Sequence, residues 1–312
     1  MRLADLRFAD LTVPEDPAQS RAKNRDGGLE LGLLPPELWG ELQDLYRALS
    51  AHDSARFRFR WNDLMLRVQR RGTEAGTVFV VRRIDKQVRS LDDIKFASSV
   101  KRRLVDPAMR SGLVLFCGPP GSGKTTLACS MLIARLHEIG GFTWTAENPV
   151  EYDMQGTHGK GQIYQSGMEE DSDVLRVFSD TLRSGADTFY IGEIREKSAA
   201  TAAVLASSSG MLVVATIHAD SPQQALLKMG LLSGWLELAQ SLRAVIALRL
   251  EHLPTPGEPD RTRLHLAPLF LDPRSATDEG IRAKIREGNL AMLATDVEQQ
   301  RNRLMPSTIE RA

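Results

Sequence analysis

The nine residues GPPGSGKTT, 118–126, constrain this chain more than any other stretch. Gly118, four residues, then Gly123, Lys124 and Thr125 fit the pattern G-x-x-x-x-G-K-[ST], whose glycines let backbone N–H groups turn inward around phosphate oxygens. The pattern carries weight only where a strand feeds the loop and a helix leaves it. Both are expected here. GLVLFC before the loop is a short apolar run suited to a buried parallel strand. TTLACSMLIARLHEIGG after it sets Leu127, Met131, Leu132, Leu136 and Ile139 at helical spacing, and Gly140 and Gly141 stop the helix. Gly118, Pro119, Pro120, Gly121, Ser122, Gly123, Lys124, Thr125 and Thr126 are therefore candidate nucleotide-binding residues. Lys124 would reach the β- and γ-phosphates and the Thr125 hydroxyl would ligate Mg²⁺. The helix N-terminus adds partial positive charge on the same side.

The rest of the chain divides around this element. From about residue 111, strands alternate with helices, which means a mostly parallel sheet in a nucleotide-binding α/β core. Residues 1–95 read as a smaller N-terminal α+β domain, 96–110 as a linker, and 111–312 as the core with C-terminal helices. In the first domain, 13–36 read as a long loop with a short strand at LELGLL. PELWGELQDLYRALSAH then puts Leu38, Leu42, Leu45 and Leu49 on one helical stripe. ARFRFRWN alternates, with Arg56, Arg58 and Arg60 on one side and Phe57, Phe59 and Trp61 on the other, the period of a half-buried strand. LMLRVQRRG and TVFVVRRID supply two more strands joined by a RGTEAG turn. The tail, DPRSATDEGIRAKIREGNLAMLATDVEQQRNRL, reads as helical with a turn near EGN.

Composition excludes several classes. No run approaches the roughly 18 apolar residues of a membrane helix, and MRLADLRFAD is too charged for a signal peptide, so a cytoplasmic location is expected. The two cysteines, Cys117 and Cys129, flank the phosphate loop and read as small buried packing residues. Net charge is zero, with 40 Lys plus Arg against 40 Asp plus Glu. Its distribution is uneven: residues 56–110 hold 15 basic against 6 acidic side chains. A solvated or partner-facing surface is the ordinary reading of such a surplus.

Three further stretches end apolar strands with chemistry-bearing residues. TAENPVEY (145–152) follows the short strand GGFTW and places Glu147 and Glu151 where a strand gives way to a loop. TFYIGEIRE (188–196) ends in Gly192-Glu193, and MLVVATIHADS (211–221) ends in His218. In an open parallel sheet the ends of the strands are the ligand side, so these residues should converge on the nucleotide.

In that order and approximate spacing, GPPGSGKTT, TAENPVEY, YIGEIRE and ATIHAD resemble the boxes of the secretion-superfamily motor ATPases. That superfamily includes the PilT-type pilus retraction ATPases and the type II and type IV secretion ATPases. The resemblance covers about residues 55–295. TVFVVRRI looks like the arginine-bearing last strand of the family's N-terminal domain, and SLRAVIALRL with IREGNLAML looks like the C-terminal helical part of the retraction ATPases. The resemblance implies a RecA-like P-loop NTPase core, a PAS-like N-terminal domain and a hexameric ring that hydrolyses ATP with Mg²⁺. It further implies Glu193 as the base orienting the attacking water and Glu147 as an assistant at metal or water. His218 would sense the nucleotide, and Arg82 is the arginine that approaches the phosphates. The partners it implies are platform proteins of a pilus or channel proteins of a type IV or conjugative secretion machine, holding a cytoplasmic motor peripherally at the inner membrane. Direct nucleic-acid binding is not expected. Two departures stand out. Asn148 replaces the family's usual aspartate, and two cysteines rule out the four-cysteine zinc module of some assembly ATPases. The alternatives are a DNA-translocating P-loop motor, which would use the basic stretch 56–110, and a P-loop kinase.

Overall fold

The computed structural model describes residues 1–6, 8–24, 31–84, 87–253, 261–273 and 275–305, and they form two compact units. The first comprises residues 1–87 together with 149–153, the second residues 88–148 and 154–312.

In the first unit six antiparallel strands run β1 (Phe8–Pro14), β2 (Arg21–Asn24), β3 (Leu31–Leu33), β4 (Arg56–Trp61), β5 (Leu64–Thr73) and β6 (Gly76–Ile84), in the spatial order β3-β2-β1-β6-β5-β4. The expected strand at LELGLL appears as β3; its Leu29 and Glu30 lie outside the described residues. One sheet face buries Leu11, Val13, Leu66, Val68, Phe79 and Val81 in a common core with α1 (Trp39–Ser50), whose Leu42, Leu45 and Leu49 are the expected stripe. Edge strand β4 leans Phe57, Phe59 and Trp61 on that core and only half-buries them. Alternation puts the arginines on the other face, where paired positions line up across four strands: Arg58 with Arg67, Arg67 with Arg82, Arg82 with Asp10.

The second unit opens with α2 (Ser98–Leu104), a helix inside the segment read as linker, which buries Val100 and Leu104. Next come β7 (Gly112–Gly118), α3 (Lys124–Glu138), β8 (Gly141–Glu147), β9 (Gly156–His158), β10 (Gly161–Gly167), α4 (Val174–Leu182), β11 (Thr188–Ile191), α5 (Lys197–Ser208) and β12 (Leu212–His218). The chain ends through α6 (Pro222–Ser233), α7 (Trp235–Ser241), β13 (Leu242–Leu253), β14 (Arg261–Phe270), α8 (Ala276–Arg286) and α9 (Leu293–Leu304). The sheet order is β14-β13-β7-β12-β11-β8-β10-β9, parallel except for its edge strands β14 and β9. Every residue of β7 is buried, as expected of a central parallel strand covered on both faces. Cys117 and Cys129 are buried free thiols, and burial pushes Cys117 up to about 12, where it stays protonated and unreactive. The tail is helical as read, and its turn is made by Gly288 at φ +72°.

SLRAVIALRL corrects the sequence reading. It is not helical: Leu242–Leu253 is a strand, parallel to β7 and antiparallel to β14. Its run Leu242, Ala244, Val245, Ile246, Ala247 and Leu248 is buried on both faces. Such a run carries no period that separates strand from helix, and the two flanking strands decide it. Among the described residues no helix is long and apolar enough to cross a membrane.

Candidate functional site

The phosphate loop joins β7 to α3, whose first residue is Lys124. Gly118 must be glycine: a Cβ there would lie 2.4 Å from the Leu248 carbonyl of β13 and 2.5 Å from the Ser122 hydroxyl. Gly121 and Gly123 have φ of +75° and +88°, left-handed values that L side chains rarely adopt. No atom lies within 4 Å of where a Cβ would stand at either, so the loop is open on that side. Lys124 is buried and folds back over the loop, its Nζ donating to the Pro119 carbonyl at 2.9 Å. The Ser122 hydroxyl is buried with no hydrogen-bond partner among the described residues. An open glycine turn, a lysine curled over it and an orphaned buried hydroxyl fit a phosphate ligand.

The strand ends do converge. His218 closes β12 beside β7, and its Nδ1 lies 3.3 Å from Lys124 Nζ. Its Nε2 lies 2.5 Å from Oε1 of Glu193, two residues beyond β11. Glu147, the last residue of β8, is 1% exposed and accepts a hydrogen bond from Gln165 of β10 at 2.9 Å. Gly192 packs beside Glu147: a Cβ there would lie 3.4 Å from the Glu147 Cα and Cγ, in ordinary van der Waals contact. Glu151 does not join them. It belongs to the segment 149–153 of the first unit, where its charge acts on Arg67 and Arg82.

Three residues that sequence reasoning missed, Gln165, Arg195 and Asp171, complete the cluster. Arg195 donates from Nε to Glu193 Oε2 at 2.7 Å, with Nη2 in ion-pair contact with the same oxygen at 2.6 Å, and from Nη1 to the Asn148 carbonyl at 3.1 Å. Burial works against its charge, but Glu193 and Asp171 outweigh it and hold the guanidinium above its ordinary range. Asp171 accepts from Arg195 at 3.4 Å and from the Asn148 amide at 3.0 Å. Asn148 thus acts as a donor, which an ionised aspartate could not do. The signal for Arg195 was its place two residues after Glu193. Gln165 and Asp171 had none, because their partners are distant in sequence.

In the first unit Arg82 is held by Asp10, its Nε 2.6 Å from Oδ1 and its Nη2 2.8 Å from Oδ2. That hydrogen bonding raises the Arg82 pKa and lowers that of Asp10. Arg83 donates to the carbonyls of Ala4 and Leu6. Much of the basic stretch 56–110 is likewise used internally, Arg58 and Arg60 by Asp153, and Arg70 by the carbonyls of Ser50 and His52. Among the described residues no three His, Cys, Asp or Glu side chains gather as a metal site.

Residues 51–277 match the family model described as type II/IV secretion system protein. The chain belongs to this family. The type IV pilus ATPase PilU of Pseudomonas aeruginosa is 31% identical over 187 residues, 57% of this chain and 47% of PilU. The type II secretion system protein E of the same organism is 34% identical over 217 residues, 67% of this chain and 42% of that protein. The chain thus spans less than half the length of each. Among solved structures, the pilus retraction motor PilT with bound ADP aligns with a TM-score of 0.73 at 21% identity, covering 95% of this chain and 87% of that one. The Legionella pneumophila ATPase DotB gives 0.70 at 20% identity, covering 95% and 85%. The fold is therefore a RecA-like P-loop core with a smaller N-terminal α+β unit.

Proposed function

We propose that this chain is a subunit of a hexameric ATP-hydrolysing motor that drives a pilus of the retraction type or a type IV or conjugative secretion machine. One observation carries the reading: Lys124, His218 and Glu193 form a continuous side-chain chain from the phosphate loop to a carboxylate at the ends of adjacent strands. Phosphoryl transfer to water asks for positioned water and neutralised charge rather than covalent chemistry. Lys124 binds the β- and γ-phosphates, and the backbone of 118–126 cradles them. Glu193 orients the attacking water and accepts its proton, and Glu147 supports it from the neighbouring strand end. His218, touching both Lys124 and Glu193, registers whether a γ-phosphate is present. Mg²⁺, held through Thr125, would neutralise phosphate charge when bound. Arg82 supplies a further positive charge to the phosphates during turnover, exchanging Asp10 for them.

The pilus and secretion assignment draws support from relatives named for those machines. In this reading the motor works on the cytoplasmic face of the inner membrane, held there by platform or channel proteins, and does not engage nucleic acid directly.

Lys124→Ala is expected to weaken ATP binding by about 10-fold, the worth of one charge-assisted contact, and to lower hydrolysis with it. Fluorescent-nucleotide titration and phosphate release check both, and unchanged turnover would remove the loop from the chemistry. Ring assembly should make specific ATPase activity rise with protein concentration. Activity strictly proportional to concentration, from a species that light scattering shows to be a monomer, would favour a kinase-like enzyme over a motor.

A further inference from the structure

Arg195 joins three segments that the sequence keeps apart. Its Nε and Nη2 both reach Glu193 Oε2, and its Nη1 reaches the Asn148 carbonyl at the end of β8 and Asp171 ahead of α4. Asp171 is itself fixed by the Asn148 amide. The other Glu193 oxygen, Oε1, faces His218 and through it Lys124. One oxygen of the candidate base is therefore clamped, and the other looks toward the phosphate loop.

An arginine two residues from its carboxylate would not confer order by itself, because a free guanidinium carries about 2 kcal/mol of rotamer entropy. Anchoring on a third segment removes that freedom before a substrate arrives. Asn148 makes the anchor workable: an aspartate at this position would set a third carboxylate against Asp171 and Glu193, with one guanidinium between them.

We propose that Arg195 is a positioning residue for ATP hydrolysis, anchored by Asp171 and Asn148, which holds Glu193 Oε2 so that Oε1 accepts the proton of the attacking water. This rests on the reading of Glu193 as the base. The chain Asn148–Asp171–Arg195–Glu193 also ties the acidic box to the carboxylate that serves the water, so movement of one box would be felt at the other.

The test is a mutant cycle on the full-length protein, read by steady-state kcat and by fluorescent-nucleotide binding. Arg195→Ala should lower kcat about 10-fold or more with nucleotide Kd changed by less than about threefold. Arg195→Lys should recover part of the loss, since one donor can still reach Glu193. In a Glu193→Gln background Arg195→Ala should cost nothing further, because orienting an amide that accepts no proton has no catalytic value. Asp171→Asn leaves the Arg195–Glu193 pair and the Asn148 carbonyl contact in place and removes the negative charge of the other anchor; a several-fold drop in kcat is expected, and this variant decides if Arg195→Ala fails to fold. Unchanged kcat in the arginine variants, or an equal further loss in the Glu193→Gln background, would overturn the proposal. If Glu193→Gln itself keeps full turnover, the assignment of the base falls and this inference with it. If Glu193→Gln is inactive while Arg195→Ala is fully active, only the inference falls.

Discussion

Glu193→Gln is expected to bind ATP normally and to hydrolyse it about 10²-fold more slowly or worse. The substitution keeps size and shape, and the amide can still lie between Arg195 and His218, the two groups that hold the carboxylate. What it loses is the ability to accept a proton. Glu147 is the competing candidate, and its surroundings differ. It is almost fully buried and hydrogen-bonded to Gln165, whereas Glu193 keeps one oxygen against the histidine that touches the phosphate-loop lysine. Glu147→Gln should therefore have the smaller effect on turnover. Phosphate release by both variants, with binding measured in parallel, decides the matter. Loss of turnover in Glu147→Gln alone would mean that the two carboxylates have each other's roles.

The features legible in the sequence are those in which local pattern and tertiary environment agree. The phosphate loop was readable because strand, glycine turn and helix are contiguous, and Gly118, Gly121 and Gly123 stand where a side chain would clash or be strained. α1 was readable because Leu42, Leu45 and Leu49 repeat at the helical period and are buried, as is Leu38 in the turn just before it. Misreading began where burial on both faces erased the period. Resemblance alone places SLRAVIALRL in a helical part; its continuous apolar run offers no period to oppose that, and pairing with β7 and β14 makes it strand β13. β9 and β10 went unread for a different reason. They are short and half-polar, and β10 gains its place by pairing in parallel with β8 and antiparallel with β9. The same limit applies within the site. Glu147, Glu193 and His218 sit at the ends of recognisable apolar strands, but Gln165 and Asp171, which hold that cluster together, lie 18 and 23 residues from the partners they bind. Side-chain bonds across such separations depend on strand order, which no local pattern contains.

Arg82→Ala is expected to have the largest effect of all. Arginines that neutralise charge developing on a transferred phosphoryl group contribute roughly 10³ to 10⁵ in rate in other nucleotide hydrolases, so turnover should fall at least about 10³-fold while ATP still binds. The structure gives this prediction its controls. Arg82 stands on the arginine-bearing face of β6, half-exposed, and its partner Asp10 is partly buried. A partly exposed bidentate pair of this kind is worth about 1 kcal/mol, so losing it should lower the melting temperature by no more than about 2–4 °C. Arg83 points to the core side and donates to the backbone carbonyls of Ala4 and Leu6, so Arg83→Ala should cost stability rather than turnover. The two substitutions therefore separate in opposite directions, one in kcat and one in thermal melting. Asp10→Asn adds a third arm. It keeps a neutral side chain beside Arg82 and removes the charge that phosphate must displace, so turnover should be retained or rise. Equal, small effects of Arg82→Ala and Arg83→Ala on kcat would mean that the N-terminal unit gives no charge to the reaction, and the exchange of Asp10 for phosphate would have to be abandoned.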